Sequence, residues 1–121
     1  MVGSDSEMSS NKKLIADFYE AIFNKHRIDE TPKYMKEDYI QHNPGVGQGR
    51  KNFMDAFREK FMKNPTFRLE IKFMIEENDM VAVYLKNVSP SGDTLCRVVD
   101  IYRIENGLLA EHWDVLQPVA G

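Results

Sequence analysis

Asn106-Gly107 is the feature of this sequence that leaves the fold least freedom. It separates two β-rich runs, residues 95–105 and 108–117, and an Asn-Gly pair in that setting is the strongest short signal for a β-hairpin. Two registers are open. A two-residue type I′ turn at Asn106-Gly107 pairs Glu105 with Leu108 and sets Asp100 against Trp113. A type I turn at Glu105-Asn106, with Gly107 left-handed in a bulge, pairs Ile104 with Leu108 and sets Asp100 against His112. The second is preferred because of how it sorts the two faces. One face then carries Val98, Asp100, Tyr102, Ile104, Leu108, His112 and Asp114, an apolar surface interrupted by three groups that exchange protons. The other carries Val99, Ile101, Leu109, Trp113 and Val115, rimmed by Arg97, Arg103 and Glu111.

Upstream, the hydrophobic period changes. Residues 10–25 are expected to be a helix, with Leu14, Phe18 and Ile22 on one stripe that Ile15, Tyr19 and Phe23 widen, and with Ser10 as N-cap. Thr31-Pro32 opens a short second helix over 33–36. Tyr39-Ile40-Gln41-His42 is a short strand that enters a glycine-rich loop, Asn43 to Gly49. A third helix covers 50–62, where Phe53, Phe57 and Phe61 recur as a core stripe. Residues 66–77 alternate strictly, which predicts a half-buried strand with Phe67, Leu69, Ile71, Phe73 and Ile75 inward. Residues 80–88 form the next strand. Helices first and a four-strand meander after indicate an α+β fold, a cone-shaped curved antiparallel sheet wrapped against about three N-terminal helices. A pocket is expected between the helices and the inner face of the sheet.

A chain of 121 residues holds one domain with one core. That domain is placed at 10–121, and residues 1–9 read as a disordered tail or expression remnant, with Met8 as a candidate native start. The formal net charge of −3 offers no footprint for nucleic acid or an anionic membrane. A single cysteine excludes an internal disulfide and a multi-cysteine zinc site, and it suits a reducing cytoplasm. No apolar run approaches the roughly 20 residues of a membrane-spanning helix, and residues 1–10 lack the regions of a signal peptide.

Two blocks carry a resemblance. Tyr39-Ile40-Gln41-His42-Asn43-Pro44 followed by glycines, and Val99 to Gly107 followed by Glu111-His112-Trp113-Asp114, are similar to the SnoaL-like polyketide cyclase family of the nuclear transport factor 2-like superfamily. The resemblance covers nearly the whole chain after the tail. It implies the cone-shaped roll of that superfamily (also described as cystatin-like). It further implies cofactor-independent aldol ring closure on a carbonyl compound, with an acidic side chain in the cone as general acid/base, and a homodimer. The superfamily also contains isomerases, hydrolases and non-catalytic binding modules, so the fold does not settle the reaction.

That chemistry needs a base near an acidic C–H and a donor near the oxygen of the developing enolate. Asp114 is the first choice for the base and Asp100 the second, because two carboxylates in one apolar pocket oppose each other's ionisation. His112 would orient a carboxylate or donate, and His42 would be a second donor. Asn43, Tyr102, Phe57 and Val98 are expected to contact a small hydrophobic carbonyl ligand. No cofactor or metal is expected. The dimer is expected to bury Val99, Ile101, Trp113 and Val115.

Plainer readings stand beside these. His42 caps a strand end, Asp100 and His112 form a satisfied buried pair, or Asp114 faces solvent. Trp113 is packing or interface, His26 is structural, and Cys96 is an apolar wall residue. Three sharper motifs fail on spacing. Gly45, Gly47 and Gly49 match no phosphate-binding loop. The histidines and aspartates lack close metal-ligand spacing. Cys96 meets His112 only after a register shift.

Overall fold

Ser9, placed in the tail by its sequence context, caps the first helix. In the computed structural model, which describes residues 8–119, its hydroxyl accepts the backbone N–H of Lys12 at 3.1 Å and donates to Glu76. The rest of the expected tail, residues 1–7, and the last two residues of the expected domain lie outside the described residues. Helix α1 (Ser10–Phe18) runs on into a wider π-helical turn over Tyr19–Asn24. Ile15, Phe18, Tyr19, Ile22 and Phe23 are buried along it.

The second helix is not where Thr31-Pro32 would start one. It is a 3-10 helix over Ile28–Lys33, and Thr31 turns its hydroxyl back onto the Ile28 carbonyl at 2.6 Å. A hydroxyl engaged backwards does not cap forwards. The chain then goes directly into β1 (Met35–Gln41), and α2 (Gly49–Lys63) follows the glycine loop. Four strands complete the chain: β2 (Leu69–Glu77), β3 (Met80–Val88), β4 (Thr94–Glu105) and β5 (Leu108–Pro118).

The strands form one curved, unclosed sheet in the order β1-β5-β4-β3-β2. The meander is antiparallel, and β1 adds to its β5 edge as a parallel strand. Among the described residues no helix is long and apolar enough to cross a membrane.

Neither expected hairpin register holds. Asn106 and Gly107 both have positive φ, 52° and 78°, and Glu105 pairs with Leu108, so the turn is of the two-residue type. The ladder then slips once, with Ile104 opposite Leu109 and Arg103 opposite Glu111, which leaves Ala110 as the extra residue of a bulge. Below the bulge Asp100 pairs with Asp114, Tyr102 with His112 and Ile101 with Trp113. The two-residue turn, by pairing Ile104 with Leu109, also reverses the two leucines: Leu109 is fully buried, while Leu108 is only half-buried.

The inner face is therefore a stack of cross-strand rows. Gln41, His112, Tyr102 and Val81 form the first, and Asp114, Asp100, Val83 and Met74 the second. Leu116, Val98, Leu85 and Ile71 form the third, then Pro118, Cys96, Asn87 and Leu69. A second bulge, at Lys72, breaks the expected alternation of β2. Ile71 pairs with Leu85 and Phe73 with Tyr84, so Phe73 and Ile75 turn outward, 55% and 63% exposed. Met74 takes the inward place.

Candidate active site

Rows one and two meet the aromatic residues of the helices around a cavity of about 330 Å³. Phe23, Phe53 and Phe57 form its helical wall, and Leu85, Val98 and Leu116 part of its sheet wall. The expected residues Asp100, His112, Asp114, Asn43, Tyr102, Phe57 and Val98 all line it.

His42 does not. Strand alternation turns Tyr39 and Gln41 inward and leaves Ile40 and His42 outside. His42 stacks on Trp113 with ring centroids 4.8 Å apart and bonds Glu111 through Nε2 at 2.8 Å. Glu111 also accepts from Arg103 at 3.0 Å, and these two partners, His42 first, hold its carboxyl below the ordinary carboxylate range. The expected donor is thus part of an outer-face network. His26 is likewise away from the cavity, stacked on Phe61 and donating to the Phe67 carbonyl at 2.8 Å.

The hydrogen bonds of the buried row fix where protons sit. The side-chain oxygen of Gln41 accepts the Asn43 backbone N–H at 3.1 Å. A backbone N–H only donates, so this amide cannot be flipped. His112 Nδ1 lies 2.7 Å from the same oxygen and must be the protonated nitrogen. Its Nε2 faces Asp100 Oδ1 at 2.9 Å. Two bare acceptors make no bond, so one proton is held between His112 and Asp100, on one or the other. The second oxygen of Asp100 accepts from the Tyr19 hydroxyl, and Tyr102 sits 2.8 Å beyond Tyr19. Burial, followed by the charge of Asp100, raises the hydroxyls of Tyr19, Tyr39 and Tyr102 well above their ordinary value, so they remain donors.

Both oxygens of Asp100 are thus engaged, and the residue is 6% exposed. Asp114 differs. It is half-buried and lines the cavity, with one oxygen held by the Asn43 side-chain amide at 3.0 Å. The loop places Asn43 by bonding its own side-chain oxygen to the Gly45 N–H at 2.9 Å. The pair Asp100–His112 stores a proton, and Asp114 presents a carboxylate to the cavity. One donor atom from each of Asp100, His112 and Asp114 also lies within 4.8 Å of the others, a set of the kind divalent cations use. The proton between His112 and Asp100 engages the nitrogen lone pair, so a cation there would have to displace it.

Tyr19, Tyr39 and Gln41 are the residues that the sequence reading missed. Tyr19 was legible as a hydrophobic stripe position, but only the α1 packing brings its hydroxyl to Asp100. Gln41 stood beside His42 in the same motif, and the inward phase of β1 selects it.

The profile of the SnoaL-like polyketide cyclase family matches residues 13–120. Similar solved structures include IdmH from Streptomyces antibioticus, a candidate polyketide cyclase, at 19% identity over 89% of this chain and 92% of that one, with a TM-score of 0.74. A candidate isomerase of the SnoaL-like family from Agrobacterium tumefaciens is 16% identical over 91% and 99%, with a TM-score of 0.77. AclR from Streptomyces galilaeus, a candidate hydroxylase, is 21% identical over 91% and 90%, with a TM-score of 0.72. At these identities the likeness shows the fold, and three different reactions are attached to it. No curated protein matches the sequence significantly.

Proposed function

This chain belongs to the SnoaL-like polyketide cyclase family, and we propose that it catalyses proton transfer on a small carbonyl compound in the cone, as an aldol cyclisation or isomerisation without a cofactor. The observation that carries the reading is the division of labour between Asp114 and the Asp100–His112 pair. Asp114, oriented by Asn43, removes a proton from the carbon beside the carbonyl. The enolate carbon then bonds to a second carbonyl carbon, whose oxygen becomes an alkoxide. The proton held by Asp100–His112 passes to that oxygen, and Asp114 returns its own to the pair through solvent or product. In an isomerisation the same proton returns to a different carbon. Tyr19, with Tyr102 behind it, hydrogen-bonds Asp100 throughout and keeps the pair in place.

The test is deuterium uptake at the carbon next to the carbonyl across a panel of ketones. Asp114→Asn keeps size and the Asn43 contact partner but removes the base, and uptake should fall by about 10²–10⁴-fold. Uptake at the wild-type rate in both Asp114→Asn and Asp100→Asn would rule out the carboxylate mechanism, and no uptake by the wild type with any ketone would leave ligand binding without turnover as the function of this cavity.

The outer sheet face supports a two-fold dimer. Val99 and Val115 are exposed there beside Ile101 and Trp113, and Phe73 and Ile75 extend the apolar surface across β2. Leu109, expected in this band, is in the core and does not contribute. A single unpaired cysteine accords with a cytoplasmic protein.

A further inference from the structure

We infer that the end of the cavity opposite Asp114 is a carboxylate subsite built by Lys60 and Asn87, so that the ligand is a keto acid rather than a neutral ketone or ester. The inference rests on the proposed chemistry at Asp114 only for which end of the ligand carries the reacting carbonyl.

The inward stripe of α2 runs Phe53, Ala56, Phe57 and then Lys60, all lining the cavity. A lysine takes the place where the helical period calls for one more apolar residue. Its ammonium lies over the rings of Phe67 and Phe57, 5.0 and 5.9 Å from their centroids, which holds it at the cavity wall. Its neighbours on the same helix are occupied differently. Lys51 pairs with Asp55 and Lys63 with Glu59, each one turn away, whereas Ala56 and Asn64 occupy those places for Lys60. Among the described residues that line the cavity, Lys60 is the one lysine or arginine.

Asn87 approaches from the sheet. The inner face of β3 reads Val81, Val83, Leu85 and then Asn87, so an amide ends an otherwise apolar row. Asn87 pairs with Leu69 on one side and Cys96 on the other. Along β4, Cys96 is four residues from Asp100, a span of about 13 Å for an extended strand. The cavity is therefore polarised along its length. At one end the Asp100–His112 pair with its shared proton is net neutral and the Asp114 carboxylate repels an anion, while an ammonium and an amide donor stand at the other. A ligand with a carboxylate at one end and a carbonyl at the other has only one favourable orientation, and it delivers the carbonyl to Asp114.

The experiment compares 6-acetyl-2-naphthoate with its methyl ester, a rigid pair with a methyl ketone at one end and either an anion or no charge at the other. Dissociation constants are measured on the full chain by ligand fluorescence and NMR titration. The wild type should bind the acid about 2–5-fold more tightly than the ester at low ionic strength, as expected of a partly exposed ion pair. Lys60→Met retains the apolar stem and should abolish the preference, Lys60→Glu should reverse it, and added salt should erode it in the wild type alone. Equal binding of acid and ester, a preference that survives in Lys60→Met, or no binding of either compound overturns the subsite. Asp114→Asn separates this from the acid/base reading. It should keep the acid preference while losing deuterium uptake, so uptake that persists there counts against the base and leaves the subsite standing.

Discussion

His112 is tied to Gln41 by a bond whose direction is fixed, because the Gln41 oxygen at 2.7 Å already accepts the backbone N–H of Asn43. Gln41→Leu removes that acceptor and frees the imidazole to place its proton on either nitrogen. Deuterium uptake should fall by roughly 10–100-fold, the usual scale for losing a partner that orients a functional histidine. The 15N shifts of the His112 ring should then report a mixture of tautomers. Gln41→Glu keeps the acceptor and should restore both readings towards wild type. A single retained tautomer in Gln41→Leu would remove Gln41 from the machinery.

Asp100 and Asp114 should part company in denaturation as well as in turnover. Asp100 is buried with both oxygens bonded, and Asp100→Leu leaves the Tyr19 hydroxyl and His112 Nε2 without their partner. That change should cost about 1–3 kcal/mol of unfolding free energy. Asp114→Asn faces the cavity and should stay within about 0.5 kcal/mol of wild type. Urea titrations of the two variants decide it, and equal losses would show that Asp114 is as structural as Asp100.

Alkaline titration addresses the aromatic floor. Tyr19, Tyr39 and Tyr102 have native pKa values raised above the ordinary 10.0, chiefly by burial and then by the charge of Asp100. A raised value means the folded state holds its protons more tightly than the unfolded one. The contribution is therefore complete below about pH 10 and is lost as pH rises from there through the raised values. Phenolate absorbance should show these three of the five tyrosines ionising late, together with unfolding. Ionisation of all five near pH 10 with the fold intact would contradict their burial.

Val115 is the probe for assembly. It is 68% exposed on the outer apolar surface, next to Val99, and does not line the cavity. Val115→Arg should shift light scattering at micromolar concentration from dimer to monomer, with the circular dichroism unchanged. A wild-type protein that scatters as a monomer under those conditions would remove the dimer.

Much of the architecture is readable without coordinates, because periodicity and the Asn-Gly turn specify helices, meander and fold class. The convergence of Asp100, His112 and Asp114 is readable too, although for an instructive reason. The preferred register was wrong, yet the slip at Ala110 left these residues on the face where it had put them. Bulges are what single-sequence alternation cannot supply, since each one reverses every later side chain. The bulge at Lys72 did so for Phe73 and Ile75, which the regular pattern had placed inside. His42 was lost to a simpler ambiguity, because a histidine next to a glutamine in a short strand reveals chemistry but not phase. Tyr19 needed the docking of α1, which no local pattern encodes.

The bulge at Lys72 has a consequence for how this protein lives in a crowded solution. β2 is the outermost strand of the sheet, and an unpaired ladder of this length is a template for a neighbouring chain. Lys72 interrupts that ladder with an unmatched residue and a charged side chain beside the two outward-facing apolar residues. Deleting Lys72 would restore a regular ladder, with Ile71 opposite Leu85 and Phe73 next along opposite Tyr84, so Phe73 and Ile75 would still face outward. It would leave a straight edge without the charge of Lys72 beside these two exposed apolar residues, and such a chain recruits its own copies into aggregates.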